Sequence, residues 1–134
     1  MNTKSKVIVG LIVGMTGLML SLSAFGSIPS ASQVIKKYDL DRDGTVTIQE
    51  ITKSAEAQFA ALDGDHDGTL DKNEYAKAKL SPNDDPDNDG TIDMTEYMNV
   101  VKRRFAAADK KHDGKLDAKE LNSKEGQSLR LMLQ

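Results

Sequence analysis

Four acidic segments of one pattern constrain this chain more than any other feature. Eighteen of its 21 acidic residues fall within four twelve-residue windows, each with glycine at its sixth position and glutamate at its twelfth. The windows are residues 39–50, 63–74, 85–96 and 109–120, called loops 1 to 4 below. Carboxylates crowded along a short backbone repel one another unless a multivalent cation lies among them. We therefore expect the fold to be organised around bound hard metal ions.

The spacing D-x-[DN]-x-[DN]-G-x5-E is typical of calcium-binding loops. Positions 1, 3 and 5 supply carboxylates, position 7 its backbone carbonyl, position 9 an oxygen through water, and the glutamate at 12 both oxygens. Glycine at position 6 permits the sharp turn. The predicted metal ligands are Asp39, Asp41, Asp43, Thr45 and Glu50 in loop 1; Asp63, Asp65, Asp67, Thr69 and Glu74 in loop 2; Asp85, Asp87, Asp89, Thr91 and Glu96 in loop 3; and Asp109, Asp113, Lys115 and Glu120 in loop 4.

The four loops are not equivalent. Loop 4 has Lys111 at position 3, which puts a positive charge where the other loops have a ligand carboxylate. We expect three strong sites and a fourth, in loop 4, that is weak or empty. Loops 2 and 3 carry a fifth carboxylate at position 9, whereas loop 1 has the neutral Thr47 there.

The chain repeats itself with an offset of 46 residues. Comparing residues 39–76 with 85–122, 16 of 38 positions are identical. Apolar residues recur at helical spacing in both copies, which predicts two equivalent amphipathic helices, at about 48–62 and 94–108, packed together as the core. The predicted core-facing residues are Ile48, Ile51, Ala55, Phe59 and Leu62 in the first helix, and Met94, Tyr97, Val101, Phe105 and Ala108 in the second.

Shorter elements are predicted around these two helices. A capping box at Ser30 predicts a helix over residues 30–38, and a second short helix covers 72–80, before a hinge at 81–84. A brief helix over 118–123 is expected to be broken by Gly126. The apolar tail, residues 129–133, is expected to cover the open end of the core.

The spacing between loops restricts how they can pair. Only 12 residues separate Glu50 from Asp63, so one helix of roughly 22 Å must serve both loop 1 and loop 2 and hold them at opposite ends. If the two long helices are antiparallel, loop 2 meets loop 3 and loop 1 meets loop 4. Contact between Leu70 and Ile92 would support this arrangement, and a pairing of Val46 with Leu70 would contradict it.

These features together resemble lanmodulin, a family of small bacterial periplasmic EF-hand proteins that bind lanthanide ions. The closest stretch runs from Asp85 to Asp93 and has the family's proline at position 2, which the other three loops lack. The resemblance implies an all-α EF-hand fold, in which four calcium-type loops are joined by short shared helices in a small bundle. It also implies a lanthanide ion such as La³⁺ as the bound metal, besides the Ca²⁺ that the loop pattern indicates. Carboxylate repulsion in the metal-free loops and a thin core predict that the chain folds or compacts on binding the ion.

The first 26 residues have the order of a secretory signal. Lys4 and Lys6 precede an apolar run over residues 7–22, and small residues at Ala24 and Gly26 suit a cut before Ser27. We predict a signal peptide at 1–26, a four-loop domain at 27–134, and a periplasmic or secreted location without stable membrane association after cleavage. An uncleaved anchor at residues 7–25 on a structural protein is the alternative.

No reactive constellation or basic face suggests another class of function. The net charge is −3, and Lys102-Arg103-Arg104 is the one basic cluster, expected to be a solvated helix face without nucleic acid. His66 and His112, at position 4 of their loops, are expected to be exposed turn residues. We predict a metal-binding protein rather than an enzyme. The alternative is a calcium sensor that exposes an apolar groove, lined by Met94, Met98 and Met132, to an unknown protein partner.

Overall fold

The computed structural model describes residues 27–133. The predicted signal peptide and its cleavage point lie outside the described residues. The elements in chain order are α1 (Ala31–Tyr38), β1 (Val46–Thr47), α2 (Ile48–Leu62), β2 (Thr69–Leu70), α3 (Lys72–Lys77), a 3₁₀ turn (Pro82–Asp84), β3 (Ile92–Asp93), α4 (Met94–Ala108), β4 (Lys115–Leu116), α5 (Ala118–Asn122) and α6 (Lys124–Arg130). The predicted all-α class is confirmed, since the strands are only two residues long.

The two long helices form the centre of the core, as their repeated apolar pattern predicts. Phe59 of α2 and Tyr97 of α4 meet edge to face, with ring centroids 5.5 Å apart. Seven of the ten predicted core-facing residues are buried, and Ile48, Leu62 and Met94 at the helix ends are partly buried against them. Val100, which the repeat comparison did not indicate, is also buried.

Two short antiparallel strand pairs join the loops in the predicted order. Leu70 of β2 lies opposite Ile92 of β3, and Val46 of β1 lies opposite Leu116 of β4. All four side chains are fully buried. The start of α2 therefore adjoins the end of α4, and the end of α2 adjoins the start of α4. The two helices consequently run antiparallel. Loop 2 thus pairs with loop 3 at one end of the bundle, and loop 1 with loop 4 at the other.

The helix α3 ends earlier than the sequence predicts. The prediction of 72–80 relied on Pro82 as the terminator, but the helix stops at Lys77. Lys79 has a φ of 55°, the Leu80 amide donates to the Tyr75 carbonyl, and the Lys79 amide donates to that of Ala76. These are the bonds of a Schellman motif, in which a left-handed residue ends the helix. Here that residue is a lysine, which sequence reasoning does not recognise as a stop.

The prediction that Gly126 breaks a helix is wrong. The preceding helix α5 ends at Asn122, and Ser123 then caps a new helix, α6, that runs through Gly126. The tail does cover the core: Leu129, Met132 and Leu133 are buried, and the Tyr38 hydroxyl donates to the Leu133 carbonyl over 3.1 Å. Within residues 27–133, no helix is both long enough and apolar enough to span a bilayer.

Candidate metal centres

Each loop turns through two left-handed residues. The glycines at position 6 have φ between 77° and 90°, and the residues at position 4, which are Arg42, His66, Asn88 and His112, have φ between 56° and 61°. A Cβ at any of these glycines would meet no atom within 4 Å, so backbone conformation rather than space selects glycine there. Both histidines are exposed, as predicted.

The aspartate at position 1 holds the turn through two backbone amides. The position 6 glycine donates to its Oδ2 over 2.9–3.0 Å in all four loops. In loops 1, 2 and 4 the position 5 amide also donates to Oδ1, over 3.1–3.2 Å. In loop 3 this second bond is missing, and Asp85 Oδ1 is buried without a hydrogen-bond partner. A buried carboxylate oxygen without a donor fits a bound cation.

The glutamate at position 12 is also the third residue of the following helix. Its Oε2 accepts the amide of position 9 in every loop, over 2.8–3.1 Å. The position 9 side chains (Thr47, Asp71, Asp93 and Asp117) cap the same helices in return. These are capping boxes, readable from the sequence as a threonine or aspartate three residues before glutamate. The extra carboxylates of loops 2 and 3 are thus helix caps in this structure.

Proline at position 2 changes the surroundings of one glutamate. The amides of Leu40 and Gly64 donate to Oε1 of their loop glutamates over 2.8 and 2.7 Å, but Pro86 has no amide hydrogen to give Glu96. Burial opposes ionisation of Glu50, yet hydrogen bonds from Thr47 and Leu40 outweigh it and lower the pKa of that carboxyl. Burial raises the pKa of Glu96, which has fewer donors to offset it and lies near the charges of other loop 3 aspartates.

Three loops bring acidic side chains close enough to share one ion. Oxygens from three carboxylates lie within 4.8 Å of one another in each of loops 1, 2 and 3. The groups are Asp39, Asp41 and Asp43; Asp63, Asp65 and Glu74; and Asp85, Asp87 and Glu96. Such a set of hard oxygen ligands suits Ca²⁺. Among the described residues, loop 4 provides no group of this kind.

The crowding of charge is visible at position 3. An amide from position 5 favours the ionised form of the exposed Asp41, Asp65 and Asp87, but loss of hydration and neighbouring carboxylates prevail and raise each pKa. At position 5 the direction reverses in loops 2 and 3, where threonine hydroxyls and amides at position 7 lower the pKa of Asp67 and Asp89. A cation among these groups would relieve the repulsion at position 3.

Loop 4 is closed by its own lysine. Lys111 pairs with Asp117, and its Nζ lies 3.5 Å from Glu120 Oε2. The hydrogen bond with Asp117 raises the pKa of Lys111. The side chain therefore turns toward Glu120, the loop 4 residue predicted to close a metal site.

The remaining predicted ligands lie outside the closest groups. Glu50, Asp67 and Asp89 belong to loops with a three-carboxylate group but are not members of it. Asp109 is buried and Asp113 exposed in loop 4. The position 7 residues Thr45, Thr69, Thr91 and Lys115 begin or directly precede the short strands.

The basic cluster on α4 is not a simple solvated face. Arg103 and Arg104 both pair with the buried Asp84, and Arg104 also donates to the carbonyls of Lys79 and Ser128. Burial lowers the pKa of Arg104. This arginine therefore ties the 3₁₀ turn and α6 to α4, while Lys102 and Arg103 remain exposed.

Comparison with known proteins agrees with this geometry. A family model described as EF hand matches residues 32–53, 55–79 and 100–123, which together make up more than half of the chain. These segments contain loops 1, 2 and 4, while loop 3 lies between them with the same backbone turns. No curated protein matches the chain. The family typically comprises metal-binding proteins without enzymatic activity, and the acidic loop clusters indicate calcium binding. The chain belongs to the EF-hand family.

Proposed function

We propose that this chain is a periplasmic or secreted protein that binds Ca²⁺ or lanthanide ions in loops 1, 2 and 3 and gains order on binding. The ligands would be the predicted carboxylates together with the position 7 carbonyls. The bound ion would supply positive charge that neutralises mutually repelling carboxylates. Loop 4 would be weak or empty because Lys111 pairs with its glutamate.

The observation that carries this proposal is the state of loop 3. Three carboxylates lie within 4.8 Å of one another, and one of them presents a buried oxygen that no donor satisfies. An oxygen in this position costs free energy until a cation or donor reaches it. Loop 3 therefore has the most to gain from an ion.

The choice between Ca²⁺ and a lanthanide depends on charge. Both ions take oxygen ligands, and a trivalent ion gains about half again as much Coulomb attraction from the same carboxylates. The resemblance to lanmodulin supports a lanthanide, through the shared helices and Pro86 of loop 3. The ordinary calcium loop pattern in all of loops 1 to 3 supports Ca²⁺.

Metal-induced order follows from the balance between repulsion among the loop carboxylates and the stabilisation that a small apolar core provides. The described core contains few aromatic side chains, and the position 3 carboxyls are held in repulsive surroundings. Ion binding to such loops contributes directly to folding free energy, because the unfolded chain has no preformed site. The signal-like residues 1–26 support export.

A competitive titration tests the proposal. Protein expressed from the full sequence would be titrated with Ca²⁺ and with La³⁺ while circular dichroism and ¹⁵N-resolved amide signals are recorded. We expect helicity to rise and the amides of Gly44, Gly68 and Gly90 to shift, with Gly114 little changed. No spectral change with either ion would refute metal binding, and an unchanged helicity with shifted amides would refute metal-induced folding.

The other two functional hypotheses have less support. A sensor groove would need Met132 at the surface, but this residue is buried in the core, and Met94 and Met98 are partly buried against it. Metal-dependent retention on a hydrophobic resin would revive that alternative. Mass spectrometry of the N-terminus separates a cleaved signal from an anchor.

A further inference from the structure

Loop 1 and loop 4 are joined closely enough for one to act on the other. Their strands pair Val46 with Leu116 and Thr47 with Lys115, and both apolar partners are fully buried. This fixes the backbone at Lys115 beside loop 1. The Lys115 side chain, half exposed, places its Nζ 2.6 Å from Asp43 Oδ2.

Asp43 is part of the loop 1 carboxylate group. It occupies position 5 and shares the group with Asp39 and Asp41. Its Oδ2 is the oxygen that accepts the hydrogen bond from the Lys115 ammonium. A lysine from another loop therefore already neutralises one of the carboxylates that loop 1 would offer a metal ion.

The other end of the bundle lacks this arrangement. There the equivalent strand partners are Thr69 and Asp93, so this strand pairing brings no ammonium to the loop 3 carboxylates. Position 7 is threonine in loops 1, 2 and 3 and lysine only in loop 4. Lys111, another of the four lysines of loop 4, pairs with Asp117 and Glu120 of its own loop. One lysine of loop 4 thus pairs with carboxylates of its own loop, and another pairs with a carboxylate of loop 1.

We propose that loop 4 serves as a lysine-closed regulator rather than a metal site, and that Lys115 lowers the metal affinity of loop 1. This inference rests on the proposed function. For a metal ion to take Asp43 as a ligand, the ammonium must leave that carboxylate. Loops 2 and 3 fill first, and loop 1 fills at a higher metal concentration.

The repulsion between a bound ion and Lys115 grows with the charge of the ion. Removing the ammonium therefore improves loop 1 affinity more for La³⁺ than for Ca²⁺ on a logarithmic scale. Because the pair is solvent-exposed, we expect a modest gain of roughly three- to tenfold for Ca²⁺. High salt shrinks this difference because it screens exposed charges.

The test compares K115Q with K102Q in the full chain. Both variants lose one positive charge, and Lys102 lies near the middle of α4, exposed and away from either loop pair. The amides of Gly44, Gly68 and Gly90 donate to the first aspartate of their loops, so each reports metal arrival in one loop. A titration with Ca²⁺, monitored by ¹⁵N-resolved spectra, gives a midpoint for each amide, which is the Ca²⁺ concentration at which half of its signal change has occurred.

The expected result is a lower Gly44 midpoint in K115Q alone, with Gly68 and Gly90 unchanged in both variants. An unchanged Gly44 midpoint in K115Q overturns the inference and leaves the proposed function standing. An equal shift of Gly44 in K102Q overturns it too, because net charge would then explain the gain. If no glycine amide responds in the wild type, the proposed function fails, and this inference fails with it.

Discussion

Replacing Gly126 with alanine tests how α6 rests on α5. A Cβ at this position would lie 2.2 Å from the Glu120 carbonyl oxygen and 2.6 Å from that of Leu121. Both are backbone atoms at the end of α5, so no side-chain rotation relieves the overlap. Either α6 moves away from α5, or the last turn of α5 deforms.

Two effects of opposite sign determine the outcome of G126A. Alanine is favoured over glycine inside a helix by about 1 kcal/mol. Overpacking against a fixed neighbour costs typically 1–3 kcal/mol and occasionally more. Displacement of α6 would also draw Leu129 and Leu133 out of the core. Full burial of each of these side chains stabilises the fold by about 1.5–3 kcal/mol. We therefore expect G126A to lower the free energy of unfolding by about 2 kcal/mol.

Urea unfolding followed by circular dichroism, in saturating Ca²⁺, measures this loss. The variant Q127G provides the control, because Gln127 is the next residue of α6 and is exposed. It should cost about 1 kcal/mol, chiefly through helix propensity, because the hydrogen bond that the Gln127 side chain donates to the Asn122 carbonyl is exposed and 3.5 Å long. A G126A protein as stable as the wild type, or more stable, would refute the close contact of α6 with α5.

Two further predictions concern buried polar groups. Burial raises the pKa of Tyr97 to about 12. Since the unfolded hydroxyl ionises near pH 10, the free energy of unfolding should fall by about 2 kcal/mol from pH 10 to 12, as measured by urea unfolding. This contribution should be missing in Y97F, and equal slopes in the two proteins would contradict the burial argument. In D85N, stability without metal should be unchanged or higher because Oδ1 has no donor to lose. With Ca²⁺ at a hundredfold excess over its dissociation constant, the same variant should lose about 3 kcal/mol of metal-dependent thermal stability, and a loss without metal would count against this reasoning.

The arrangement of the core could be predicted because it depends on local pattern and chain length. The apolar repeat gave the bounds of α2 and α4, and the 12 residues between Glu50 and Asp63 left no room for separate helices. Loops held at opposite ends of one helix can then pair only across the two halves of the chain. The contact of Leu70 with Ile92 confirms that deduction.

Features that depend on contacts between distant segments could not be predicted. Gly126 is a helix breaker by propensity, and only its packing against Glu120 explains a glycine inside α6. Arg104 looks like one charge of an exposed cluster until Asp84 and Ser128 are found beside it. The pairing of Lys115 with Asp43 joins residues 72 positions apart, beyond any local pattern.

Pairing the loops across the bundle also reveals an uneven distribution of charge. The loop 2 and loop 3 end contains ten acidic residues and one lysine, whereas the loop 1 and loop 4 end contains eight acidic and five basic residues. The two halves of the sequence show no such difference, since each half contributes one loop to each end. Multivalent cations are attracted to the region of stronger negative potential. The fold therefore converts a nearly symmetric repeat into two different ends. One end is strongly anionic and attracts metal first, and at the other end lysines already neutralise some of the carboxylates that an ion would bind.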